Sequence, residues 1–158
     1  MNAQSLRNSF KDLEYFISSL KIKIHIIWVV ETWIKESEKR LFNLPNYQAF
    51  HSVRPLTIGG GAVIFILKEF DTGNLIYEEC TNNNNFLILS LFKANLHIGL
   101  CNRQPNNQLD SDAQWFRFEK IVQKFENFMP IKLNHVNASW KIMFKAMSSV
   151  NISLPIVV

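Results

Sequence analysis

Glu31 is the residue of this chain whose type and setting best suit chemistry. It follows Ile24-His25-Ile26-Ile27-Trp28-Val29-Val30, a β-branched, nearly continuous apolar run that reads as a strand buried on both faces. A carboxylate leaving the tip of such a strand suits Mg²⁺, a hard cation held by one or two carboxylates together with water and phosphate oxygens. Metal-assisted hydrolysis needs more, namely an anionic cage and a group that takes a proton from water. Asp110 and Asp112 fall in a loop and at a helix start, where capping and solvation explain them. Nothing from Asn127 to Val158 carries a negative side chain, and the last acidic residue is Glu126. Glu31 therefore reads as an orphaned ligand.

The other reactive residue types assemble into less. His25, His51, His97 and His135 are scattered and build no nucleophile–base dyad, and Cys80 and Cys101 lack the paired spacing of a zinc site. Gly59-Gly60-Gly61 leads into a strand-like run, Ala62-Val63-Ile64-Phe65, and lacks the Lys-Ser/Thr of a nucleotide loop, so it reads as a flexible turn. Lys39 and Arg40 sit among Lys35, Glu36 and Glu38, a solvated face of mixed sign.

The elements that must position Glu31 follow from periodicity. Leu6, Phe10, Leu13, Ile17 and Leu20 recur on one helical face, with Arg7, Lys11, Asp12 and Glu14 opposite. A short helix is expected over Trp33–Leu41, closed by the turn cluster Asn43-Leu44-Pro45-Asn46. Strands are expected over Tyr47–Val53, Ala62–Leu67, Asn74–Cys80, Asn85–Lys93 and Asn95–Cys101. Helical periodicity returns over Asp110–Phe128 through Trp115, Phe118, Val122, Phe125 and Phe128, with Asp112 as N-cap. Beyond Pro130 the pattern is weak, with strands expected near Ile142–Phe144 and Ile152–Val158.

Composition sets the class. With 158 residues, 47% hydrophobic and 13% aromatic, the chain can bury a core, which excludes disorder as the default. A helix followed by a doubly buried strand suggests a layered α/β domain. The longest apolar stretch is too short and too interrupted to span a bilayer, so no membrane partner is expected. Met1–Gln4 runs into a charged amphipathic segment rather than a secretory signal, and two cysteines make no disulfide framework, which points to an intracellular compartment. A net charge of +4 is a mild preference for polyanions.

Taken in order, Asn2-Ala3-Gln4-Ser5-Leu6, Val30-Glu31-Thr32-Trp33-Ile34, Pro45-Asn46-Tyr47, Gly59-Gly60-Gly61-Ala62 and Arg103-Gln104-Pro105-Asn106-Asn107 give a family likeness over residues 1–128. The chain resembles the exonuclease–endonuclease–phosphatase superfamily, and within it the endonuclease domains of jockey-like non-LTR retrotransposons. The resemblance implies a partial four-layer α/β/β/α sandwich, Mg²⁺ as cofactor, no small-molecule cofactor, and DNA as partner. It further implies that Glu31 descends from the ligand of the catalytic metal and that Asn2 is a vestigial catalytic residue orienting metal and phosphate. Arg103, at or beside the position of a site-lining tyrosine, and Asn106 would contact substrate.

The second half departs from the family. The Gly-Asp-Phe-Asn motif that should follow the helix is replaced by Met129-Pro130-Ile131-Lys132. Lys132-Leu133-Asn134-His135-Val136 looks like a downstream motif whose aspartate has become Asn134, and Asn151–Ile156 looks like the terminal strand without its Asp-His pair. The resemblance thus implies one incomplete domain, family-like over 1–128 and degraded over 129–158 by an internal deletion. Its ancestral activity would be Mg²⁺-dependent cleavage of DNA phosphodiesters, lost in this chain, or reduced to non-catalytic nucleic-acid binding, or left as a translated fossil without function.

Overall fold

A computed structural model describes Ala3, residues 5–55, 59–81 and 84–103, and beyond them positions 116, 120, 123, 131–132 and 145–146; for Cys101, Arg103 and the last four of these positions it describes the backbone alone. The helix expected from the leucine and phenylalanine spacing runs over Leu6–Ser19 (α1) and buries Leu6, Phe10 and Leu13. The start of this helix is tied to the candidate site. Ser5 N–H donates to the Glu31 carbonyl at 2.9 Å and Leu6 N–H to the Thr32 carbonyl at 2.8 Å. Two backbone donors that a helix start leaves without internal partners are thereby satisfied by the chain just past the first strand.

That strand, Ile26–Val30 (β1), is one edge of a three-stranded antiparallel sheet. Its partner Ala62–Leu67 (β3) is central, and Tyr47–Ser52 (β2) forms the other edge. Every residue of β3 is buried, as expected of a run of Ala-Val-Ile-Phe-Ile-Leu with no polar face. The second sheet is an antiparallel meander of Gly73–Cys80 (β4), Asn84–Leu91 (β5) and Leu96–Arg103 (β6). The backbone of Ile131–Lys132 (β7) pairs with that of Lys145–Ala146 (β8).

Alternation along the strands sorts the apolar side chains into two cores. Ile27, Val29, Val63 and Phe65 face α1, where Phe10 meets Phe42 edge-to-face at 5.4 Å. Ile26, Val30, Ala62, Ile64 and Ile66 face the other way, onto Leu87, Leu89, Leu91, Ile98 and Leu100 of the second sheet. The described residues therefore stack as helix, sheet and sheet. Each fully buried Leu, Ile or Phe in these cores stabilises the fold by about 1.5–3 kcal/mol relative to leaving it in water.

Polar staples close the corners. Buried Asp71 accepts from Thr72 N–H at 2.6 Å and from Ala94 N–H at 2.9 Å, binding the β3–β4 connection to the β5–β6 turn. Tyr47 donates its hydroxyl to the Ile24 carbonyl at 2.6 Å.

One expected element takes another form. Trp33–Leu41 is helical only over Glu36–Leu41, a 3-10 helix, and Trp33 has a left-handed backbone with φ 53°. The helix is set by Glu38, which accepts from Lys35 N–H at 2.8 Å and from Arg7 at 2.6 Å. Among the described residues no helix is long and apolar enough to cross a membrane. Most of Asp110–Phe128 and the expected strands at Ile142–Phe144 and Ile152–Val158 lie outside the described residues; within the former, positions 116, 120 and 123 are helical.

Candidate functional site

The strand pairing brings several element ends to one corner of the molecule. Val30 of β1 and Ser52 of β2 both pair with Ala62 at the start of β3. In the other sheet, Asn84 and Asn85 at the start of β5 pair with Arg103 and Asn102 at the end of β6. Glu31, Ser52, Arg54, Gly60, Gly61, Asn85 and Asn102 gather there. Ser52, Asn85 and Asn102 are fully buried and Arg54 is 4% exposed, a polar pocket at the end of an apolar interior.

Glu31 is held by N–H groups. Its Oε2 accepts from the Trp33 indole at 2.9 Å and from Gly60 N–H at 3.2 Å, and its Oε1 accepts from Asn102 Nδ2 at 3.1 Å. The same Asn102 nitrogen donates to the Gly61 carbonyl at 3.2 Å. Two oxygen acceptors thus fix which end of the Asn102 amide faces the carboxylate. Glu31 and Trp33 both adopt left-handed backbone, φ 57° and 53°. Such conformations cost a non-glycine residue about 1–3 kcal/mol and persist where surrounding bonds over-determine them. Here Trp33 N–H donates to the Gly60 carbonyl at 2.9 Å while its indole reaches back to Glu31.

Asn85 is the second hub, and all of its amide capacity is used. Its Oδ1 accepts from Arg54 Nε at 3.0 Å and Gly61 N–H at 3.3 Å. Its Nδ2 donates to Ser52 Oγ at 3.0 Å and to Cys80 Sγ at 2.9 Å. Burial pushes the Arg54 guanidinium below its ordinary pKa, and the Glu31 charge acts in the opposite direction. Burial likewise pushes the Cys80 thiol up, so it stays protonated at neutral pH.

Gly60 and Gly61 are the joint on which these groups close. Both have left-handed backbone, φ 82° and 80°. A Cβ on Gly60 would lie 2.1 Å from the Arg54 guanidinium carbon, and one on Gly61 would lie 2.5 Å from Thr32 Oγ1. The turn read from sequence as flexible is therefore a clasped one, its two amides bound to Glu31 and Asn85.

Of the site residues named from sequence, Glu31 stands in this corner. Arg103 ends β6 beside Asn102, with its backbone paired to Asn84. Asn2, Asn106 and Asn134 lie outside the described residues. Ala3, next to Asn2 in the chain, donates to the Val30 carbonyl at 2.9 Å, so the N-terminal segment runs alongside the tip of β1. Asn85, Asn102, Arg54 and Ser52 were not singled out from sequence. Asparagine is depleted in strands, so its presence in the apolar runs of β5 and β6 is the signal that marks two of them.

The chemistry open to this corner follows from its donor set. An ionised carboxylate offers about four lone-pair positions, and N–H donors occupy three of those on Glu31. Mg²⁺ requires oxygen ligands in near-octahedral order, whereas Asn102 turns its nitrogen, not its oxygen, toward the carboxylate. Among the described residues no group of three or more His, Cys, Asp or Glu side chains could hold a metal ion. Among the described residues, N–H donors rather than oxygen ligands meet the Glu31 carboxylate. No protein-family model matches the chain, and no curated protein is significantly similar to it.

Proposed function

We propose that the chain is a degenerate endonuclease-type domain of the exonuclease–endonuclease–phosphatase superfamily, of non-LTR retrotransposon descent. In this reading the ancestral metal carboxylate, Glu31, has become a structural clasp, and phosphodiester cleavage is lost. The observation that carries it is the engagement of Glu31 by Trp33, Gly60 and Asn102. A cation on Oε2, which already accepts from Trp33 and Gly60, would have to displace one of these hydrogen bonds.

The complete fold in this reading is a four-layer α/β/β/α sandwich. Phe86 and Ile88, on the face of β5 opposite the inter-sheet core, are buried, as they would be beneath a second helix layer. Phe116, Lys120 and Gln123 are helical and exposed, at the spacing of one outward face of such a helix. DNA is the partner the resemblance carries over, in accord with the net charge of +4.

The test is nicking of supercoiled plasmid in the presence of Mg²⁺, comparing the native chain with Glu31→Ala. No nicking above background is expected from either protein. Nicking by the native chain that disappears in Glu31→Ala would overturn the reading.

A further inference from the structure

An open cleft lies away from the Glu31 corner, at the outer edge of β2. It has a volume of about 420 Å³, within the range of small-molecule sites. Phe50 and Leu75 give it apolar walls above the buried Leu87, while Lys39, Arg40 and Asn43 line it from the 3-10 helix and the loop after it. A β-bulge between Leu75 and Tyr77 interrupts the pairing of β4 with β5, and Leu75 is left 46% exposed. Bulges bend a strand and re-aim its side chains, and they recur beside binding sites.

The polar groups of the cavity favour an anion. Arg40 forms no ion pair among the described residues, and Lys39 is paired only with the exposed Glu36, at 2.8 Å. His51, also in the lining, points Nε2 at Asn43 Oδ1 at 3.4 Å. Its Nδ1 is buried and makes no hydrogen bond of good geometry among the described residues. Glu78 is the acidic residue of the lining, so Lys39 and Arg40 leave one positive charge in excess there, which matches a single negative charge on the occupant.

The cavity is closed along the strand. At one end Gln48 donates to the Gly73 carbonyl at 3.2 Å and accepts from Gly73 N–H at 3.1 Å. At the other, Cys80 donates to the Val53 carbonyl at 3.0 Å. These bonds tie β2 to β4 on both sides of Phe50 and His51, so an extended peptide cannot add along this edge, whereas a compact ligand fits between them.

We propose that this cleft is a binding site for a small amphipathic monoanion, an aromatic or aliphatic body against Phe50 and Leu75 with its charged group at Arg40 and Lys39. The site is independent of the Glu31 corner and of the function proposed for it.

The probe is 8-anilinonaphthalene-1-sulfonate, an aromatic body with a single negative charge, titrated into the full native chain and followed by fluorescence and thermal unfolding. Saturable one-to-one binding with a rise in Tm is expected. Arg40→Glu and Leu75→Asp, both at exposed positions that leave near-UV circular dichroism unchanged, should each weaken it at least tenfold, and Glu78→Gln should tighten it. N-phenyl-1-naphthylamine, which lacks the sulfonate, should bind at least tenfold more weakly. Absence of saturable binding, multi-site binding with a falling Tm, equal binding of the uncharged probe, or an unchanged affinity in Arg40→Glu would each overturn the proposal.

Discussion

Asn102 and Glu31, 71 residues apart in the chain, meet through a 3.1 Å hydrogen bond from the asparagine amide to the carboxylate. The bond joins the end of the second sheet to the tip of the first strand of the other. It also sets the sign of the site: the carboxylate meets a nitrogen donor where a second oxygen ligand would have been needed for a cation. Replacing Asn102 by Asp reverses that. Two carboxylates at this separation cannot both ionise freely, so one is pushed above its ordinary pKa. The unfolded chain then loses its proton near pH 4 while the folded one retains it, so stability falls as pH rises above about 4. Asn102→Asp should lose about 2–4 kcal/mol at neutral pH, measured by urea unfolding. Mg²⁺ or Mn²⁺ should restore part of that loss, since the substitution places a second carboxylate beside Glu31.

Gly61→Ala should be among the more damaging small substitutions. The new Cβ would stand 2.5 Å from Thr32 Oγ1, on a backbone at φ 80° that disfavours any side chain. A loss of about 2–4 kcal/mol is expected in urea unfolding. Gly59→Ala, whose Cβ would meet nothing within 4 Å, should change stability by less than about 1 kcal/mol.

His51 ties stability to pH. Burial, then the Lys39 charge, pushes its pKa from the ordinary 6.5 down to about 4. Between those values the unfolded chain binds the proton that the folded chain refuses, so stability is lost as pH falls from about 6.5 to 4. The contribution is on the order of 3 kcal/mol across that window. His51→Gln, which does not titrate, should flatten the stability–pH curve there, as followed by unfolding at a series of pH values.

Much of the scaffold was legible because its periodicities are strong. The spacing of Leu6, Phe10 and Leu13 placed α1, and the doubly buried β1 and β3 announced themselves as unbroken apolar runs. The strand ends came within about two residues, the usual uncertainty of such boundaries. The short helix expected over Trp33–Leu41 forms only over Glu36–Leu41, as a 3-10 helix, because Trp33 has left-handed backbone with its N–H bonded to the Gly60 carbonyl. Glu31 could be found from sequence as an acid at the end of an apolar strand. Asparagines within apolar strands mark Asn85 and Asn102 as unusual, but their return to the Glu31 corner is set by the register of the second sheet, which spacing along the chain does not encode. The clasped character of Gly60 and Gly61 was hidden for the same reason.

The most direct test of Glu31 as a clasp is urea unfolding of the native chain, Glu31→Gln and Glu31→Ala, each with and without Mg²⁺. Hydrogen bonds to a charged group contribute about 1.5–3 kcal/mol each, less where the group is partly solvated. A loss of about 2–4 kcal/mol is expected for Glu31→Ala and about half that for Glu31→Gln, whose amide must face one of the N–H donors, with no effect of Mg²⁺ on the native midpoint. Variants as stable as the native chain or more so, together with a Mg²⁺-induced stabilisation that vanishes when Glu31 is replaced, would contradict it.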